Sequence, residues 1–175
     1  MPLSPGDAAP DFDLTSTEDA LLSLRDELPW YAVVLYIFRG EADARVRADL
    51  QALARARPTL ARQRARPLGL SPLPLATLKA LQGELALGFP LLCDDRDFAA
   101  AYGVPAGGEG EPAPAPALFL VGGDGKLLWL ENPVAGLDAA LAQIDKALAA
   151  IAPARGSYPR AVINRLVGRR VDRGR

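Results

Sequence analysis

The sequence predicts an α/β sandwich on a mixed sheet, with parallel strands first and an antiparallel edge pair last. Three observations carry that expectation. WYAVVLYIF at 30–38 is nearly all apolar and rich in β-branched and aromatic residues, the pattern of a central strand covered on both faces. Apolar residues at helical spacing follow it, and a second strand-then-helix pattern follows those at 67–71 and 73–87. GGDG at 122–125 then separates two apolar runs, a strong hairpin signal. Strand, helix, strand, helix, hairpin, helix is the order of an α/β layer fold.

The elements follow in order. Residues 6–14 read as an extended segment with a short edge strand around Phe12, since Pro10 suits an edge and not a central strand. Residues 21–28 alternate apolar and charged side chains and read as a short connecting turn or helix. Residues 43–57 read as a helix with Val46, Leu50 and Leu53 on one side, stopped or kinked by Pro58, with a further turn or two reaching 66. Residues 67–71 form a strand. Residues 73–87 form a helix through Leu75, Leu78, Leu81 and Leu85, with Gly88 placed as its C-terminal cap. A brief strand at 89–93 leads to Asp94 or Asp95 as the cap of a short helix near Tyr102. Residues 105–116 are a Gly- and Pro-rich loop. The hairpin strands fall at 117–121 and 126–131, and the last long helix at 136–151.

Composition excludes much chemistry. The chain has 175 residues, half of them hydrophobic and 23% charged, which suits a globular domain with a buried core. No apolar run approaches the ~20 residues that cross a bilayer, so no membrane span is expected. The start has neither a basic region nor an apolar stretch, which gives a cytoplasmic expectation by default. There is one cysteine, Cys93, and no histidine. An internal disulfide, a Cys-x-x-Cys pair, Cys/His zinc sites and every imidazole-dependent mechanism are therefore excluded, and no cofactor is expected.

The net charge of −1 hides an asymmetry. Residues 1–151, expected to form the domain, hold 13 basic and 20 acidic residues. The tail at 152–175 holds seven arginines, Arg155, Arg160, Arg165, Arg169, Arg170, Arg173 and Arg175, against Asp172. Within it, 161–171 sets Val162, Ile163, Leu166 and Val167 against Arg165 and Arg169, as in a short basic amphipathic helix. Three readings compete. The tail packs on the acidic core or on a second subunit; it contacts nucleic acid or another anionic surface; or it is a solvated end. Tyr158 is the only aromatic among the arginines, which weakens a stacking role on single strands.

Several motifs resemble one known family. Gly6 to Leu14, GDAAPDFDL, is similar to the opening of peroxiredoxins of the AhpC/TSA group. So are FPLLCD at 89–94 with AYGV at 101–104, and PALFLV at 116–121 with Asp124-Gly125-Lys126. Their order and spacing match across 6–150. The resemblance implies a thioredoxin-like fold, a three-layer α/β/α sandwich with a mixed central sheet. It also implies that Pro116 is a cis-proline facing the active site.

The resemblance also marks where the reactive thiol belongs. The redoxin-like branch carries R-G-D-W-C-P-Y-C-R-A-Q-L, and this chain reads RGEADARVRADL from Arg39 to Leu50. Asp43 falls on the attacking cysteine, Val46 on its partner, Ala42 on the tryptophan and Ala44 on the proline. In the alternative pattern P-x-x-x-T-x-x-C, the proline falls on Tyr36 and the threonine on Gly40. No activating arginine occurs among 113–117. The implied site, at Gly40, Asp43, Val46 and Pro116, is thus degenerate. A carboxylate keeps a negative charge at the helix tip, but it cannot form a sulfenic acid or cycle through a disulfide.

Asp43 then reads as a helix cap worth ~1 kcal/mol, or as a fixed mimic of the thiolate that holds a partner-binding surface in one state. The leading functional expectation is a non-catalytic binding or regulatory module with a protein partner, or a second copy in a homodimer. The alternatives are a thiol antioxidant acting through Cys93 and an anion or nucleic-acid binder acting through the tail. Cys93 reads first as a small core residue, because Asp94 and Asp95 beside it raise a thiol pKa. Asp94, Asp95 and Asp97 lack the spacing of a calcium loop and read as surface carboxylates at a helix start.

Overall fold

A computed structural model describes residues 2–28 and 30–151. Its centre is β3 (Ala32–Ile37), every residue of which is buried. Alternate side chains serve opposite faces: Val34 and Tyr36 join one apolar cluster, and Val33, Leu35 and Ile37 join the other. A strand with no wet face has to be apolar throughout, which is how the sequence reads.

Around β3 lies a seven-stranded mixed sheet. In chain order its strands are β1 (Asp13–Ser16), β2 (Leu21–Ser23), β3, β4 (Ala65–Ser71), β5 (Leu91–Cys93), β6 (Ala117–Val121) and β7 (Leu127–Glu131), arranged 2-1-5-4-3-6-7. β3, β4 and β5 are parallel, with Ala32 opposite Ala65 and Gly69 opposite Leu91. β6 runs against β3 with Ile37 opposite Ala117, and β7 returns against β6.

One face carries α2 (Ala44–Arg62), α3 (Leu75–Leu85) and α5 (Leu137–Ile151). Val46, Leu50, Leu53 and Leu60 of α2 are buried there, as are Leu78 and Leu81 of α3 and Ala140, Ile144 and Leu148 of α5. The other face is thinner. It is covered by Phe12, by Leu24 of α1 (Leu24–Glu27), by Ala99 of α4 (Phe98–Ala101), and by Tyr102 and Val104. The predicted three layers are present.

Several local expectations are corrected. The strand beside Phe12 is internal: Leu21–Ser23, expected in a turn or helix, folds back as the edge strand β2 and pairs Leu14 with Leu22. The sheet therefore has an antiparallel pair at each edge. Pro58 does not end α2, which runs four residues further to Arg62. Pro58 is exposed, so the carbonyl it leaves without an N–H partner is on the side where water can reach it. α3 stops before the expected position. Ala86 takes the left-handed cap conformation (φ 48°, ψ 50°), and the Leu87 N–H closes onto the Gln82 carbonyl at 3.3 Å. Gly88 is left-handed too, at φ +69°, but lies beyond the cap.

Candidate functional site

The carboxyl ends of β3, β4 and β5 lie at one end of the sheet. The chain leaves β3 through Phe38-Arg39-Gly40-Glu41-Ala42 and enters α2 at Asp43. Asp43 is extended (φ −67°, ψ −179°), and its Oδ1 accepts the Val46 N–H at 2.9 Å. One of the free N–H groups of the helix start is thereby satisfied. Val46 is 4% exposed, so its side chain is a core contact of α2.

Gly40 needs to be glycine. Its φ is +76°, and a Cβ there would stand 2.6 Å from the Cβ of Ala113. The 105–116 loop therefore lies directly against this junction. Arg39 is 9% exposed; its Nε donates to the Val104 carbonyl at 2.7 Å and its Nη2 binds the Asp97 carboxylate. This fastens the segment after α4 to the end of β3. On the helix side, the Tyr36 hydroxyl donates to Asp49 at 2.8 Å, and the Arg45 Nε lies 3.8 Å from the same carboxylate. Burial is the main cause of the raised Tyr36 pKa, and the hydrogen bond and charge of Asp49 push the same way.

Pro116 is at the same end, but not as expected. The described residues have one cis peptide bond, Asn132–Pro133, and Ala115–Pro116 is trans. Pro116 directly precedes β6, and the cis proline follows β7 instead. The Pro116 carbonyl accepts the Val134 N–H at 2.8 Å, and the Val134 carbonyl accepts from Arg45 Nη2. One backbone residue thus links Pro116 to the first turn of α2.

Beside the junction is an open groove of about 320 Å³ between α2 and α3, lined by Glu41, Ala42, Arg47, Leu73, Thr77 and Glu84 among others. Arg47 spans it, donating from Nε to the Ala42 carbonyl at 3.0 Å and from Nη1 to Glu84 at 2.9 Å. Cys93 ends β5 two strands away from β3, about 10 Å by strand spacing. Its Sγ is 3.4 Å from the Leu73 carbonyl. Burial raises the Cys93 pKa most, and the carboxylates of Asp95 and Asp94 add to it. Neutral pH therefore favours the thiol over the nucleophilic thiolate.

The acidic cluster does not converge. Asp94 is buried and spends both oxygens on the Phe98 and Ala99 N–H groups, each at 2.9 Å, while Asp97 turns to Arg39. Among the described residues no group of His, Cys, Asp and Glu could hold a metal ion. The seven tail arginines, and the amphipathic helix expected over 161–171, lie outside the described residues.

Residues 5–130 match the model of the AhpC/TSA family. The chain belongs to that family. No curated protein matches it significantly. Among solved structures, peroxidoxin BcpB of Mycobacterium tuberculosis is 24% identical with a TM-score of 0.76, covering 84% of this chain and 97% of its own. A cysteine-to-serine mutant of PrxQ from Xylella fastidiosa is 17% identical with a TM-score of 0.75, covering 86% and 98%. A protein described as a putative thiol:disulfide interchange protein DsbE, from Chlorobium tepidum, is 19% identical with a TM-score of 0.69, covering 83% and 99%. At these identities the likeness shows the fold, which is the thioredoxin-like fold of peroxiredoxins. Among the described residues of this AhpC/TSA-family chain, no helix is long and apolar enough to cross a membrane.

Sequence reasoning missed Arg39, Tyr36 and Asp49 as organisers of the junction. Arg39 had a readable signal, since a charge directly after a wholly apolar strand has to be paired if it is buried. The Tyr36–Asp49 contact had none, because it depends on how α2 lies across the sheet.

Proposed function

We propose that this AhpC/TSA-family chain is a non-catalytic binding or regulatory module, with a protein partner recognised at the end of the sheet where α2 begins. The observation that carries the reading is Asp43 at the tip of α2. A carboxylate, bonded to the Val46 N–H at 2.9 Å, occupies the helix-start position where the family motif puts its attacking cysteine. Peroxide reduction needs a sulfur that can be oxidised and recovered, and a carboxylate has no such cycle. The other motif positions hold Ala42, Ala44 and Val46, none of which activates a peroxide.

The single thiol does not compensate. Cys93 stands two strands away, and its surroundings favour the neutral thiol. The test is peroxide consumption by the full chain and by Cys93→Ser, each supplied with excess dithiol. Neither is expected to exceed the rate of the dithiol alone. Consumption at enzymatic speed by both proteins would place a reactive group elsewhere and overturn this reading. Consumption lost in Cys93→Ser would establish the thiol-antioxidant alternative instead.

A further inference from the structure

At the opposite end of the sheet lies a second cavity, of about 410 Å³. It is formed where the chain enters β3, β4 and β5 and where α2 ends. With 1.5 Å per residue along α2, Arg57 is roughly 20 Å from Asp43, so the cavity is separate from the junction. The floor is apolar, from Ala61, Ala65, Phe89 and three prolines, Pro58, Pro67 and Pro90. Tyr31, Arg57, Arg66 and Glu18 complete the wall. It is an open depression, like the groove at the junction, with room to seat one side of a small molecule.

Both guanidinium groups are held in place by one nitrogen each. The Arg66 Nη1 lies 2.8 Å from both oxygens of Glu27. The Arg57 Nη1 donates to the Gly88 carbonyl. Gly88 leaves room for that contact, since a Cβ there would push the guanidinium aside. Nε and Nη2 of both arginines have no hydrogen-bond partner among the described residues. The two cations are not equivalent. Glu27 neutralises Arg66, whereas Arg57 meets only a neutral carbonyl and keeps its charge.

Arg57 and Arg66 share the cavity wall with a single carboxylate, Glu18. Glu18, on the cavity wall, opposes a ligand carrying several negative charges. One uncompensated, pre-oriented guanidinium above an apolar floor selects one acidic group on an apolar body. The planar fork of arginine suits a carboxylate or a phosphate equally.

We propose that this cavity binds a small amphipathic anion, an apolar molecule bearing one carboxylate or phosphate, with Arg57 receiving the acid group and the exposed Pro58 and Ala61 receiving the body. The site stands apart from the junction, so it holds whether or not the junction recognises a partner.

The test is calorimetric titration of the full chain with 2-naphthoate and with 2-naphthyl phosphate, with neutral 2-naphthamide as control. At least one acid is expected to bind at one site per chain, about tenfold tighter than the amide. Which acid binds tighter tells a carboxylate ligand from a phosphate one. Arg57→Met, which keeps the apolar stem, is expected to weaken the acid about tenfold and leave the amide unchanged. Ala61→Leu, which narrows the cavity and keeps both arginines, is expected to weaken all three. Asp43→Asn is expected to change nothing here. Urea midpoints confirm that each variant folds. The proposal is overturned if neither acid binds, if amide and acid bind alike, or if folded Arg57→Met and Ala61→Leu bind as the wild type does.

Discussion

The Tyr36 hydroxyl donates to the Asp49 carboxylate at 2.8 Å, joining the central strand to the second turn of α2. The Tyr36 side chain is wholly buried and that of Asp49 is 13% exposed, so water does little to replace the bond. Tyr36→Phe keeps the ring and leaves the carboxylate with Arg45 at 3.8 Å. The expected cost is about 1–3 kcal/mol, the range for losing a bond to a nearly buried charged group. A lower urea midpoint at unchanged slope is the check, and no change would mean that Asp49 re-pairs fully with Arg45.

The same phenol makes stability depend on pH. The pKa values of Tyr36 and Tyr102 are both raised, mainly by burial, and Tyr102 also donates to the Pro10 carbonyl at 2.5 Å. In the unfolded chain a tyrosine ionises near pH 10, whereas these two stay neutral in the fold. Their contribution is complete below pH ~10 and is lost as pH rises above it, because the unfolded state then releases protons that the folded state keeps. Each group adds up to about 1.4 kcal/mol of loss per pH unit. Unfolding curves from pH 9 to 11.5 should steepen accordingly, and Tyr36→Phe should flatten part of the slope.

Arg39 offers a sharper test of how the junction is held. Its side chain is 8% exposed and serves both the Val104 carbonyl and Asp97. Asp97 is 55% exposed and is hydrated once it loses its partner, so the ion pair itself counts for little. The Val104 carbonyl is the larger matter, and Arg39→Met leaves it without a donor for about 2 kcal/mol. Hydrogen exchange is expected to rise first in residues 97–104, before the rest of the sheet.

These contacts show where sequence reading succeeds and where it stops. Ala32–Ile37 was legible because a strand covered on both faces has no choice of residue type, and the 122–125 turn because its glycines and aspartate have local causes. The Asp43 cap was legible for the same reason, since it acts on an N–H three residues away. β2 was not, because three residues carry no usable period. Neither was the passage of α2 through Pro58, which depends on that residue facing water. The trans state of Pro116 has no local signal in the sequence, and the arginine seat on Gly88 joins residues 31 positions apart.

Ala86 is a place where a better residue exists. It caps α3 at φ 48°, a conformation that costs a residue with a Cβ about 1–2 kcal/mol. Glycine avoids that cost but loses more backbone freedom on folding. Ala86→Gly is therefore expected to stabilise the fold by about 0.5–1 kcal/mol, read as a higher urea midpoint. A lower midpoint would mean that the alanine methyl makes contacts worth more than the strain.

The last prediction concerns the helix tip itself. In a Cys93→Ser background, Asp43→Cys puts a single thiol at the start of α2. Helix N–H groups and the positive end of the helix dipole favour the thiolate there, so its pKa is expected to fall below the free-cysteine value of ~8.5. The wild-type thiol at Cys93, raised by burial and by Asp95 and Asp94, is expected to titrate above that value. Alkylation rates against pH separate the two: the introduced thiol should react near neutrality, and Cys93 only as the solution becomes alkaline. Reactivity alone is not turnover. With Val46 in place of a second cysteine and no arginine at 113–117, the introduced thiol is expected to be oxidised by peroxide without efficient recycling. Equal alkylation profiles for the two thiols would show that the α2 start exerts no electrostatic pull on a thiolate, and that Asp43 serves there as a cap alone.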